Sequence, residues 1–238
     1  MKLLILGSGA VVTEYYLAAL QLLHWLPQVF FIDSSDLALK SLTKVFPQAK
    51  YLKADFKEYL LSVSKKALFD AVVVALPNHL HASAVELAMS SGFHVLCEKP
   101  LALEANACLR LEGLSREARR VLAVGMVRRY LPSVLALRQA LQDDLIGPLQ
   151  EIDIAWGKSY AWLSNSGAFF QRENAGILAD LGVHCLDLVQ DLFGPLRPIS
   201  YKDDARAGVE ANAEFRAVAE GSLPVTLILS LLIITNAI

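Results

Sequence analysis

Val95-Leu96-Cys97-Glu98-Lys99-Pro100 is the stretch on which the fold turns, together with Ala71-Val72-Val73-Val74-Ala75-Leu76-Pro77-Asn78 one supersecondary unit before it. Both are short apolar runs rich in β-branched residues, and both stop abruptly at polar residues and a proline. Buried parallel strands read this way when they deliver side chains to a crevice at their carboxyl ends. Lys99 precedes a proline, which keeps it out of the helical region and at a fixed bend. An ammonium at the mouth of a parallel sheet points to a proton-transfer group or an anion partner.

Working outward, strand-like and helical segments alternate. Strands are expected over 2–6, 29–32, 49–52, 70–76, 94–97 and 121–124. Helices are expected over 13–24, 36–46, 56–62, 83–91 and 103–119, with Ser34 or Ser35 as the cap of the second. Such alternation implies a doubly wound parallel sheet. After Gly125 the pattern changes. A helix over 133–142, a strand over 149–156, a polar loop and a helix over 177–192 are followed by strands over 199–202, 209–218 and 225–234. One or two helices followed by consecutive strands indicate an α+β domain with a mainly antiparallel open sheet. The expected fold class is therefore α/β: a Rossmann domain over 1–121 and an α+β domain over 122–238. Only about four strands can be built in the second domain, so the sheet reads as incomplete. The apolar run 225–234 is expected as its exposed edge, in need of a covering partner.

Composition narrows the functional classes. The chain has 238 residues and a net charge of −2, which gives no electrostatic case for nucleic acid or an anionic membrane. Its three cysteines, Cys97, Cys108 and Cys185, form no C-x-x-C pair and no disulfide framework. A reducing cytoplasm is the simplest setting. The apolar runs are too short or too interrupted to cross a bilayer as helices. The N-terminus lacks a small-residue cleavage site and does not read as a signal peptide.

Gly7-Ser8-Gly9-Ala10-Val11-Val12 directly follows the first strand and opens the first helix. The first glycine permits a tight turn, the second lets a pyrophosphate approach the backbone, and the helix N-terminus offers its positive dipole end. Val12 stands where a third glycine governs helix–strand closeness, so slightly looser packing is expected there. Asp33 ends the second strand 24 residues after Gly9. A carboxylate in that place accepts from ribose hydroxyls and repels a 2′-phosphate, which favours NAD over NADP. The competing reading makes Asp33 only the cap of the next helix.

Ala75-Leu76-Pro77-Asn78-His79-Leu80-His81 and the run from Gly92 to Ala102 closely resemble the glucose–fructose oxidoreductase / inositol dehydrogenase / rhizopine-catabolism (Gfo/Idh/MocA) family. Val124-Gly125-Met126-Val127-Arg128-Arg129-Tyr130 and Asp180-Leu181-Gly182-Val183-His184-Cys185-Leu186-Asp187 extend the resemblance in the same order and spacing. The resemblance implies a cofactor site drawn from Gly7, Gly9, Ala10, Val11, Asp33, Leu76, Pro77, Asn78, His81, Glu98 and Lys99, with an unusual bend or cis bond before Pro100. It also implies a sugar, cyclitol or polyol substrate, and a homo-oligomer formed through the sheet of the second domain.

Asp180, His184 and Asp187 fall at i, i+4 and i+7 of the predicted helix, on one face. A histidine between two carboxylates is poised as a general base for a hydroxyl proton while hydride leaves to a nicotinamide. A solvated helix face with one ion pair reads the same from the helix alone. The resemblance favours catalysis, with Lys99 and His184 handling the proton and Asp180 binding a hydroxyl or orienting His184. Arg128 is a candidate substrate contact, and interdomain salt bridges are the alternative for Arg128 and Arg129. Trp156, Tyr160 and Trp162 read as sugar-stacking or as core. His79, His81 and Cys97 lack metal-ligand spacing on one element, and no metal is expected. Cys97 and Cys185 read as buried small hydrophobes, while His24 and His94 have no evident role. The expected activity is an NAD-dependent oxidoreductase acting on a secondary alcohol. The alternatives are an NAD-dependent glycosidase and a non-catalytic nucleotide-binding or scaffold protein.

Overall fold

The computed structural model describes residues 1–25, 27–63, 68–157, 171, 176–205 and 209–230. They form two compact units, the first built on Met1–Gly125 and the second beginning at Met126.

The first unit is a six-stranded parallel sheet of β1 (Lys2–Leu6), β2 (Gln28–Asp33), β3 (Lys50–Lys53), β4 (Ala71–Val74), β5 (His94–Cys97) and β6 (Leu122–Val124). Its order, β3-β2-β1-β4-β5-β6, is that of a doubly wound dinucleotide-binding fold. α1 (Leu17–Leu22), α2 (Asp36–Val45), α3 (Phe56–Val63), α4 (Asn78–Ser90) and α5 (Ala105–Ala118) supply the connections. The β-branched runs alternate faces as strands must. Leu4, Leu6, Val72 and Val74 enter one core with Leu60, Val85 and Met89, while Ile5 and Val73 enter another with Phe31, Leu42 and Phe46. Because β6 pairs with β5 in register Cys97↔Val124, the unit runs to Gly125, a few residues past the expected boundary at 121. α4 starts at Asn78 rather than near residue 83, since Pro77, at φ −56° and ψ 145°, is its N-cap. Ser35 Oγ accepts from the Ala38 N–H and caps α2.

The second unit holds a 3-10 turn (Val127–Tyr130), α6 (Pro132–Gln142), β7 (Ile152–Gly157), α7 (Val183–Phe193), β8 (Arg197–Asp203), β9 (Asn212–Val218) and β10 (Pro224–Ser230). The sheet order is β7-β10-β9-β8. β10 is therefore an interior strand, antiparallel to β9 and parallel to β7. This corrects the expected exposed edge: Val225, Leu227 and Leu229 are buried against Ile177, Leu181, Cys185 and Val189. A return to pair with β7 is a non-local choice that the run of apolar residues does not reveal. Positions 231–234 of that run, like Tyr160 and Trp162, lie outside the described residues.

One ionic network ties α7 down. Arg129 donates through Nε to Asp187 Oδ2 at 2.8 Å and through Nη2 to Oδ1, and its Nη1 lies 3.1 Å from Asp191. Arg138 of α6 closes the network on Asp191. All four residues lie in the second unit, so this is not an interdomain bridge. Asp187 and Asp191 are nearly buried, with side chains 11% and 17% exposed.

Two stability predictions follow from the geometry. Gly7 has φ +94°, and a Cβ built on it would stand 2.2 Å from the Ala75 carbonyl oxygen. Gly7→Ala is expected to cost about 3 kcal/mol or more in chemical denaturation, since strain and overlap add. Arg129→Ala strands the mostly buried Asp187 carboxylate and leaves Asp191 to Arg138 alone, and is expected to cost about 2 kcal/mol, between the values for exposed and buried pairs. A change within about 0.5 kcal/mol would mean that solvent already carries those charges.

Candidate active site

The crevice of a doubly wound sheet opens where strand order reverses, here between β1 and β4. Three features build it. The Gly7 N–H donates to Ile32 O at 2.8 Å and the Ala75 N–H to Leu6 O at 2.9 Å, so β1 ends pressed between its neighbours. Gly9 has open space where a Cβ would stand, which leaves its backbone approachable. Asp33 closes the loop: its Oδ2 accepts from the Ser8 N–H at 2.8 Å and the Ser8 hydroxyl at 2.6 Å, and its Oδ1 from the Ser35 N–H at 2.7 Å. Gly7, Ser8 and Asp33 are thus brought together. Asp33 does not cap α2, because Ser35 holds that post. The loop, with Ala10 and Val11 at the entry of the first helix, fits a pyrophosphate and ribose in its open backbone and its carboxylate.

Val12 is fully buried, and the chain from Val12 to Tyr16 winds as a π-helical turn before α1. A π turn is wider than an α turn and occurs frequently at functional sites. Val12 itself is packed into the core with Ile5 and Val73. The turn also brings Tyr16 inward, a contact that sequence reasoning missed. Tyr16 Oη donates to Glu98 Oε1 at 2.8 Å. Burial, followed by the neighbouring Glu98 carboxylate, pushes the Tyr16 pKa well above its ordinary value, so the phenol stays a donor. The partners are 82 residues apart, and nothing local to Tyr16 announces the pairing.

Glu98 and Lys99 leave the carboxyl end of β5. The Glu98 N–H donates to Val74 O at 2.9 Å and the Gly125 N–H to Cys97 O at 2.8 Å, which fixes the strand ends on both sides. The Glu98 carboxylate lies over Gly125, where a Cβ would meet Oε1 at 3.2 Å. The Lys99–Pro100 peptide is cis, as the resemblance implied. Leu76, Pro77 and Asn78 leave the end of β4 next to it, and all three are half-buried. His81 is 1% exposed, with Nε2 2.7 Å from Leu76 O and Nδ1 2.7 Å from Pro100 O. Its ring is engaged by backbone rather than presented to a ligand, which differs from the cofactor contact expected of it.

In the second unit, Asp180 lies in a π-helical turn, Leu178–Gly182, that runs into α7, and His184 follows in α7. His184 is 6% exposed and Asp180 is half-buried. The start of this helix is held by Glu210, whose Oε1 accepts from the Leu178 N–H at 3.0 Å and whose backbone oxygen accepts from Ile177. Asp187 is engaged by Arg129, so the expected picture of His184 between two carboxylates is changed: one of those charges is already met by a guanidinium. Arg128 lies with its guanidinium carbon 3.5 Å from the centre of the Trp156 ring, which gives Trp156 a cation–π partner. Cys97 and Cys185 are buried, and burial raises both thiol pKa values, that of Cys185 to about 11. His94 Nδ1 accepts from the Val121 N–H at 3.0 Å, a structural role. Among the described residues no group of three His, Cys, Asp or Glu side chains could hold a metal ion. No described helix is long and apolar enough to cross a membrane.

Comparison with known proteins agrees with this geometry. Residues 1–126 match the model of an oxidoreductase family with an NAD-binding Rossmann fold, and residues 134–232 match the GFO/IDH/MocA C-terminal domain. A putative UDP-kanosamine synthase oxidoreductase subunit of Amycolatopsis mediterranei is 35% identical over 128 residues, covering 53% of this chain and 35% of that protein. The inositol 2-dehydrogenase of Rhizobium meliloti is 30% identical over 142 residues, covering 58% of this chain and 41% of the enzyme. Those alignments thus span well under half of each relative. Among solved structures, the WlbA dehydrogenase of Bordetella pertussis, in complex with NADH and UDP-GlcNAcA, superposes with a TM-score of 0.85 at 17% identity. That match covers 99% of this chain and 68% of the dehydrogenase. The chain belongs to the Gfo/Idh/MocA oxidoreductase family, with an NAD(P)-binding Rossmann fold as its first unit.

Proposed function

We propose that the protein is an NAD-dependent oxidoreductase that exchanges hydride with a secondary alcohol of a sugar or cyclitol. The observation that carries this reading is the Asp33 carboxylate, held against the Gly7–Gly9 loop at the carboxyl end of β2. Three donors reach that carboxylate, which has room for about four. Acceptor capacity therefore remains for a ribose hydroxyl, and the negative charge disfavours a 2′-phosphate. Gly9, Ala10 and Val11 offer backbone and a helix N-terminus for the pyrophosphate. Leu76, Pro77, Asn78 and Glu98 form the wall proposed for the nicotinamide end.

A bound nicotinamide dinucleotide supplies the hydride acceptor or donor. The chain's own residues handle the proton and the substrate. Lys99, at the bend before Pro100, exchanges the hydroxyl proton. His184 shares that acid–base role, and Asp180 orients it or accepts from a sugar hydroxyl. Arg128 is proposed to contact the substrate. Names of relatives, including inositol 2-dehydrogenase and a dehydrogenase with a bound nucleotide sugar, support a polyol or sugar as the substrate class. A homo-oligomer through the four-stranded sheet, in the cytoplasm, completes the proposal.

Titration with NADH and NADPH, followed by nicotinamide fluorescence, tests the first step. NADH is expected to bind more tightly, and Asp33→Asn is expected to reduce the preference about tenfold, the size of one charge-assisted hydrogen bond. Equal binding of the two by the unaltered protein would overturn the choice of NAD. Failure of the folded protein to bind either would favour the non-catalytic reading. In a polyol screen, Lys99→Ala and His184→Ala are each expected to lower kcat about 100-fold or more while NADH affinity stays within about twofold. Unchanged turnover in both would remove them from the mechanism. Release of a monosaccharide without net NADH formation would identify the glycosidase.

A further inference from the structure

The backbone ladder between β4 and β5 pairs Val74 with Cys97, and the Glu98 N–H bond to Val74 O continues it one residue further. Beyond that point the two chains carry Pro77–Asn78 and Lys99–Pro100. There His81, from the first turns of α4, continues the connection with its ring: Nε2 is 2.7 Å from Leu76 O and Nδ1 is 2.7 Å from Pro100 O. Both partners are carbonyl oxygens, which only accept. A neutral imidazole has a single N–H, so two such bonds require both nitrogens to be protonated. With one proton missing, a lone pair would face a lone pair at hydrogen-bond distance inside a site that is 1% exposed.

We propose that His81 is a positioning residue: as an imidazolium it donates to Leu76 O and Pro100 O and sets the spacing of the Pro77–Asn78 loop against Glu98–Lys99. It touches neither substrate nor cofactor. It acts through the two loops that the functional reading assigns to the nicotinamide end, and to that extent the proposal rests on that reading. The charged groups facing the ring are Glu98, which favours the cation, and Lys99, which opposes it. Burial is the largest influence and draws the His81 pKa below the usual histidine value, against the pull of the two carbonyls. The doubly bonded state is therefore favoured toward acid pH. As pH rises, one bond is lost and the two loops are coupled less tightly.

The experiment uses the full chain labelled with 15N-histidine, with His81 assigned by its absence in His81→Gln. At the acid end of a pH titration of the folded protein the ring is expected to show two N–H signals, protected from exchange, one of which is lost at a pH below the ordinary histidine range. NADH affinity is expected to fall about tenfold between that state and the neutral ring, the loss of one charge-assisted bond. In His81→Gln, which cannot span both carbonyls, affinity should be weak throughout and should not vary with pH in that window. His81→Phe, of similar shape and without donors, serves as the second variant if the first does not fold. A single N–H at every pH, or a variant with unchanged NADH affinity and the same pH profile, overturns the proposal. If the unaltered protein binds no NADH, the functional reading falls, and the ring signals alone decide whether His81 makes both bonds.

Discussion

Between β1 and β4 the chain passes so close to itself that one position must lack a side chain. Gly7 sits at φ +94° with the Ala75 carbonyl oxygen 2.2 Å from where its Cβ would be. That contact is possible only because β1 is the strand at which the sheet reverses its order. A turn this tight presents the backbone of the following residues to the crevice and aims the next helix at it. Asp33, Ser8 and the π-helical turn at Val12 are all arranged around this approach. Without it the carboxyl ends of β1, β2 and β4 would still pair, but the chain could not turn this closely past Ala75.

The second unit depends on a different constraint. α7 carries Asp187 and Asp191 one turn apart, and two arginines from the preceding turn and helix meet them. Beneath the helix, Leu181, Cys185 and Val189 pack on the interior strand β10. Ionic contacts on one side and apolar contacts on the other fix the helix from both directions. His184 is carried on that fixed frame, which the acid–base role proposed for it would require.

Much of this was legible in the sequence because it is local. Continuous apolar runs between helical patterns marked the strands and helices of the first unit, and the glycine spacing with Asp33 marked the end of the sheet where they meet. What escaped is non-local or depends on helix type. The Tyr16–Glu98 bond joins residues from opposite ends of the first unit. The interior position of β10 follows from its pairing with β7, which no turn signal encodes. The Arg129–Asp187 pair joins residues 58 apart within one unit, where the sequence suggested an interdomain bridge. His81 sat in plain view within a motif, yet its two carbonyl partners come from separate loops.

Asp33 is both the latch of the glycine loop and, in its proposed role, the reader of the ribose. These duties share one carboxylate, so coenzyme preference and loop shape are inherited together. A lineage drifting toward a phosphorylated coenzyme could not simply discard the charge, because Ser8 and Ser35 would lose their common acceptor. The passable route starts at Ser8, with a residue that holds the loop by other means, and only afterwards reaches Asp33.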